Sequence, residues 1–125
     1  SLALYTTNEY KKLSVERMLD IIHERVGEGP VFLSFDIDFL DPVYAPGTGT
    51  PEVSGASIDD ALQFVRGLTN IDFVGFDLVE VLPAYDHGQI TAAAAANIVY
   101  EFITLIALRK KAKEEEETLL VKARD

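Results

Sequence analysis

Two short runs, Val31-Phe32-Leu33-Ser34-Phe35 and Phe73-Val74-Gly75-Phe76-Asp77-Leu78-Val79, are apolar on both faces that an extended chain presents. A strand of that kind belongs inside a sheet, with neighbours on either side and layers above and below. Between the two runs, Ser57-Ile58-Asp59-Asp60 has the pattern of a helix start, and the helix it opens extends to about Leu68. Strand, helix, strand is the order of a parallel α/β unit with a right-handed crossover. Two interior strands cannot build an interior by themselves. The pattern therefore predicts that the sheet is completed by residues outside this sequence or by another chain.

The rest of the chain fits around that unit. Val15, Met18, Leu19, Ile22 and Val26 recur at helical spacing after Ser14, and Gly27, Gly29 and Pro30 end the helix over 14–26. From Asp36 to Gly55 periodicity stops among Pro42, Pro46, Gly47, Gly49, Pro51 and Gly55, which predicts a long loop; loops this long are often functional. A second loop covers Leu82 to Gly88. An alanine-rich helix follows from about Thr91 to the basic cluster Arg109-Lys110-Lys111, and Glu114 to Glu117 belong to a solvated helical extension or tail. The expected organisation is one region over 1–108 and a charged extension over 109–125. No internal repeat is present.

Composition narrows the function. With 21 acidic and 11 basic residues the net charge is −10, which repels nucleic acid and anionic membranes and suits a cationic ligand or a metal ion. Simple solubility explains the same charge. The absence of cysteine excludes thiol catalysis and thiolate metal sites. With no signal-peptide pattern and no apolar run long enough to span a bilayer, the expected location is cytoplasmic. The chain begins at Ser1 instead of Met, so an upstream part is expected.

In a parallel α/β sheet, ligands bind beyond the carboxyl ends of the strands. The first strand delivers Asp36 and Asp38 there, and strand alternation puts both on one side. Two carboxylates held close repel, and a divalent cation relieves that repulsion. Caps on the following segment are the plain structural alternative. Glu80, after the second strand, reaches the same rim if the strands are parallel, and a carboxylate there can grip a guanidinium by paired hydrogen bonds; a salt bridge or helix-end contact is the alternative. The loop Ala45 to Glu52 lacks the lysine of a phosphate-binding loop and is read as a pocket wall. His23 is assigned no chemistry, and His87 is read as structural or solvent-facing.

Ser34-Phe35-Asp36-Ile37-Asp38-Phe39-Leu40-Asp41-Pro42, then Ala45-Pro46-Gly47-Thr48-Gly49-Thr50-Pro51-Glu52, closely resembles the signature of the ureohydrolase (arginase/agmatinase) family in its agmatinase form. Val74 to Val81, with Pro83, Tyr85 and Asp86, resembles the family's next motif, and Thr91-Ala92 with Ala94-Ala95 its final helix. The resemblance spans roughly 30–108. It implies the three-layer, parallel-sheet arginase–deacetylase α/β fold, here only its C-terminal portion. It implies a binuclear Mn2+ centre with Asp36 and Asp38 as metal ligands, and Thr50, beside the metals, and Glu80, on the guanidinium, as substrate-binding residues. Carboxylate oxygens suit a hard cation such as manganese, and two such ions activate one water. The implied reaction is hydrolysis of agmatine to putrescine and urea, a step of polyamine biosynthesis, in an enzyme whose relatives form trimers or hexamers, so a homo-oligomer is expected.

The sequence departs from the family in places. Ser54 replaces the first of two usual glycines before Gly55, and Ala56 stands where a bulkier residue is common. The family's Gly-Gly-x-His-Ser and Asp-Ala-His-x-Asp segments, with the other metal ligands, are expected upstream, as is the proton-shuttle histidine. The chain alone is therefore expected to be inactive and to need the missing N-terminal part of its domain. Alternatives are another ureohydrolase (arginase, guanidinobutyrase or formimidoylglutamase type), a non-catalytic fragment or pseudo-subunit, and a haloacid dehalogenase-type phosphotransferase. The last also places Asp-x-Asp after an apolar strand but does not normally carry leucine where Leu40 stands.

Overall fold

The structure, a computed structural model, describes residues 2–123. The ends of the two expected regions, Ser1 and Arg124-Asp125, lie outside the described residues. In order, the chain forms α1 (Thr7–Tyr10), α2 (Val15–Val26), β1 (Pro30–Asp36), a 3-10 turn (Ile37–Phe39), α3 (Ile58–Gly67) and β2 (Asp72–Val79). Two more 3-10 turns (Pro83–Tyr85 and His87–Gln89) lead into α4 (Ile90–Lys122).

Local chemistry sets these boundaries. The Ser14 hydroxyl accepts from the Arg17 amide at the start of α2, and Ser57 accepts from the Asp60 amide at the start of α3. Gly27, at φ 56°, ends α2 in a conformation that costs glycine little. The short α1 has no clear sign in the sequence. It stands on a capping box between Thr6 and Glu9, a four-residue signal with too little hydrophobic periodicity to read.

β1 and β2 pair in parallel from Pro30↔Asp72 to Asp36↔Val79, with an irregularity at Val31/Phe32. Their carboxyl ends therefore share one edge. α3 and α4 cover one face. Thr91, Ala95, Ile98, Phe102 and Leu105 form the buried stripe of α4, spaced by three or four residues so that they share one face. Phe102 stacks on Phe76 with centroids 4.9 Å apart and meets Phe73 edge-on at 6.0 Å. Truncating such a ring costs about 3–5 kcal/mol. The solvent-exposed ion pair Arg66–Glu101, at 2.6 Å, is screened by water and contributes little. Packing, not charge, fixes α4 on the sheet.

As the apolar pattern predicts, the described residues do not enclose the strands: the sheet has two strands, so each is an edge. Phe32 is 60% exposed and Val74 68% exposed, because the helices cover only one face. Of the two expected forms of the charged extension, the structure has the helical one: α4 continues to Lys122. Arg109 and Lys113 reach back to Asp72, at 2.7 and 3.6 Å. One expectation needs correction: the stretch His87–Lys122 is long and apolar enough to cross a bilayer by length and composition. The alanine-rich sequence forms one unbroken helix, and its buried stripe faces β2 and α3.

Candidate active site at the carboxyl ends of the strands

Asp36 is the last residue of β1, and Asp38 lies in the 3-10 turn that follows. Strand alternation therefore does not relate the two side chains; the chain has already turned. Asp36 Oδ1 accepts from the Asp38 amide at 3.2 Å, so the cap foreseen as an alternative is present. Asp38 Oδ2 accepts from the Thr50 hydroxyl at 2.7 Å, which brings the distant loop residue onto the same acid. Burial pushes the Asp36 carboxyl above its ordinary range; the Asp38 amide opposes that shift, and the negative charges of Asp38 and Glu80 add to it. Asp36, Asp38, Thr50 and Glu80 thus share one rim. Both aspartates are half-buried, while Thr50 and Glu80 are exposed.

Glu80 follows the last residue of β2 and has φ 66°, a left-handed conformation that costs a residue with a Cβ about 1–2 kcal/mol. The surroundings impose it. Thr48 bridges Val81 in antiparallel fashion, and the Leu82 amide donates to the Gly47 carbonyl at 2.8 Å. The loop grips the chain immediately after Glu80. Gly49 lies alongside; a Cβ there would sit 4.0 Å from Glu80 Oε2.

The loop is a packed structure, not an open cradle. Asp41 braces it by accepting from the Val43 amide at 2.9 Å and the Ser54 amide at 2.8 Å. The Asp41 amide donates to the Ala56 carbonyl, and the Ala56 amide to the Phe39 carbonyl. A Cβ on Gly55 would lie 2.6–2.8 Å from that backbone, so glycine is required. Ser54 has φ 69° where the family's usual glycine would be relaxed. Its hydroxyl accepts from Lys11 Nζ at 2.6 Å. The Gly47 amide is already taken by the Thr91 hydroxyl, at 2.7 Å, and is not free for an anion. The loop is a wall, as its sequence suggests.

Two residues beyond those the motifs point to have a clear role at this rim. Asp86 accepts from the Thr91 and Ala92 amides at 2.9 Å each, capping α4. Thr91 is fully buried and joins that cap to the loop. An acid five residues before a Thr-Ala helix start was the available signal. His23 Nε2 contacts the Gly67 carbonyl at 3.1 Å and ties α2 to α3; His87 is exposed in its turn. Arg109 Nε and Thr48 Oγ1 are buried without a hydrogen-bond partner.

The donor set suits a hard cation: two half-buried carboxylates with mutual repulsion and a hydroxyl holding one of them in place. It does not enclose one. Among the described residues, no group of three or more His, Asp or Glu side chains is placed to hold a metal ion. A cleft of about 520 Å3 opens beside Asp36, Asp38 and Glu52, but most of its wall is apolar, from Leu33, Phe35, Phe39, Met18 and Phe64. That lining suits packing against the open edge of β1 better than it suits a cation.

Residues 1–105 match the arginase family. The agmatinase of Edwardsiella ictaluri is 53% identical over 97 residues, 78% of this chain and 32% of that protein. Among solved structures, a hypothetical agmatinase from Burkholderia thailandensis superimposes with a TM-score of 0.81 at 44% identity, over 84% of this chain and 33% of that one. The proclavaminate amidino hydrolase of Streptomyces clavuligerus gives a TM-score of 0.79 at 42% identity, over 81% and 34%. The chain spans about a third of the length of these relatives. Parallel strands, covering helices and the loop at their carboxyl ends are thus part of the arginase α/β fold, and the haloacid dehalogenase alternative falls away. By this match across most of its length, the chain belongs to the arginase family.

Proposed function

We propose that this chain supplies the substrate-side half of a manganese-dependent ureohydrolase site, with agmatine as the substrate. One observation carries the reading: Asp36, Asp38, Thr50 and Glu80 come from segments up to 44 residues apart and share one rim of a parallel strand pair. Kinship to proteins named agmatinase favours agmatine among linear guanidines. In this proposal Asp36 and Asp38 hold manganese, and the remaining ligands and the proton-shuttle histidine come from outside these 125 residues. When bound, the metal pair supplies an activated water for attack on the guanidinium carbon. The chain's own residues do the rest. The Thr50 hydroxyl fixes the Asp38 carboxylate, Asp36 holds its turn through the Asp38 amide, and Glu80 receives the planar fork of the guanidinium. Residues 1–108 form the catalytic portion, 109–125 a helical extension, and the complete enzyme is a cytoplasmic homo-oligomer.

Burial decides how much Glu80 contributes. Exposed as it is here, a carboxylate–guanidinium pair is worth about 0–1 kcal/mol. Closed off by the rest of the domain, loss of one partner costs about 3–5 kcal/mol, roughly a hundred- to several-thousand-fold in kcat/KM. In the complete protein, Glu80→Gln should show the larger loss in a urea-release assay with agmatine while manganese content stays normal. Near-wild-type efficiency would return Glu80 to a structural role, and lost metal would make it a ligand or a support of the fold.

A further inference from the structure

We propose that Thr91, oriented by Asp86, is a positioning residue that locks the Gly47–Thr50 loop and thereby sets Thr50 and Glu80 relative to Asp38; the kinetic part of this proposal rests on the ureohydrolase reading above. The connection runs through a single peptide unit on each side of Gly47. Its amide donates to Thr91 Oγ1 at 2.7 Å, and its carbonyl accepts from the Leu82 amide at 2.8 Å. One residue of the loop is therefore bolted both to the first turn of α4 and to the chain two residues beyond Glu80.

The bolt is protected and oriented. Thr91 and Gly47 are buried, so water cannot replace their hydrogen bond cheaply. The Asp86 carboxylate oxygens accept from the Thr91 and Ala92 amides, which holds the backbone of the residue whose hydroxyl the Gly47 amide reaches. Asp86 packs so close to Gly47 that a Cβ there would lie 2.5 Å from Asp86 Cβ. The two functional residues of the loop region sit just beyond the bolt on either side. Thr50, three residues after Gly47, donates to Asp38. Glu80, two residues before Leu82, holds a left-handed backbone that the bolt maintains.

The test compares Thr91→Val, which keeps the shape and removes the oxygen, with Thr91→Ser, which keeps the oxygen. Both are made in the complete manganese-loaded protein. Deuterium uptake of the peptide covering residues 45–50 reads the bolt without reference to activity. Thr91→Val should speed exchange at the Gly47 amide by at least about tenfold, lower kcat/KM for agmatine by about ten- to a hundredfold, and leave manganese content unchanged; Thr91→Ser should restore all three to near wild type. Unchanged exchange and unchanged kinetics in Thr91→Val would overturn the proposal, as would Thr91→Ser behaving like Thr91→Val. Should Thr91→Val fail to fold, wild-type exchange still decides, because a Gly47 amide exchanging at the rate of an unprotected glycine refutes the bolt. Failure of the parent reading looks different. Exchange would respond to Thr91 as expected, while neither Thr91→Val nor Glu80→Gln would change agmatine hydrolysis.

Discussion

The loop between β1 and α3 is better buried than the two strands beside it. Ile37, Leu40, Ala45, Thr48 and Ala56 are all at most 2% exposed, whereas Phe35 is the one strand residue buried to a comparable degree, at 8%. Ordinarily the sheet is the core and the loop the decoration. Here the inversion separates what the chain finishes by itself from what it does not. The loop closes on Asp41, Gly47, Gly55 and Thr91, all within the described residues. The strands keep two free edges and an uncovered face carrying Phe32 and Val74. One half of a site is built firmly on a sheet that is itself only partly enclosed.

If that contrast is correct, its largest consequence is catalytic. The 125-residue chain, incubated with manganese and agmatine, should release no urea above the uncatalysed background. Sustained turnover by this chain would erase the distinction, because it would require every essential ligand to lie within it.

Stability gives the next effect. Leu40→Ala removes a fully buried side chain from the loop and should cost about 2–5 kcal/mol in urea unfolding, whether the chain is alone or in the complete protein. Val74→Ala should stay within about 0.5 kcal/mol in this chain. In the complete protein it should cost about 1–2 kcal/mol, since each buried methylene is worth about 0.8 kcal/mol. Equal values for Val74→Ala in the two settings would show that nothing covers that face.

The cap beneath the loop adds a pH dependence. Burial draws the Asp86 carboxyl upward, but amide hydrogen bonds from Ala92 and Thr91, the Thr91 side chain and the nearby His87 outweigh it, leaving it below its ordinary range. A lowered folded-state value means that Asp86 adds stability above the unfolded value, about 3.9. That stability fades as pH falls through the folded value. Asp86→Asn should remove this part of the acid-side decline and leave the neutral-pH slope as it was. An unchanged acid limb would show that the cap is not linked to protonation.

These features differ in how legible they were. The strands, α2, α3 and their parallel order follow from apolar runs and Ser caps, because local periodicity and burial agree there. Asp36, Asp38, Thr50 and Glu80 were singled out by motif, and the structure brings them to one rim. The turn at Ile37–Phe39 was not legible, since its geometry depends on Asp36 capping its own neighbour. The exposure of Phe32 and Val74 accords with the incomplete sheet that the apolar runs imply, but which face stays open depends on where the helices pack. Asp86 caps α4 through local contacts, but the Thr91–Gly47 bond spans 44 residues, and local sequence carries no trace of it.

Ser54 offers the smallest effect. Its φ of 69° strains a serine, and Ser54→Gly should stabilise the loop by up to about 1 kcal/mol, less whatever the Lys11 hydrogen bond contributes. Thermal unfolding of the complete protein would show a small rise in Tm; a fall would mean that Lys11–Ser54 outweighs the strain.

The most direct test of the account is manganese bound per subunit, measured by elemental analysis in the complete protein for Asp36→Ala, Asp38→Ala and Asp41→Ala. Asp41 is the internal control, because its two oxygens are committed to the Val43 and Ser54 amides. Asp36→Ala and Asp38→Ala should lose manganese together with nearly all activity, while Asp41→Ala should lower stability more than metal content. Full manganese occupancy in both Asp36→Ala and Asp38→Ala would contradict it and leave the two carboxylates as caps of the turn.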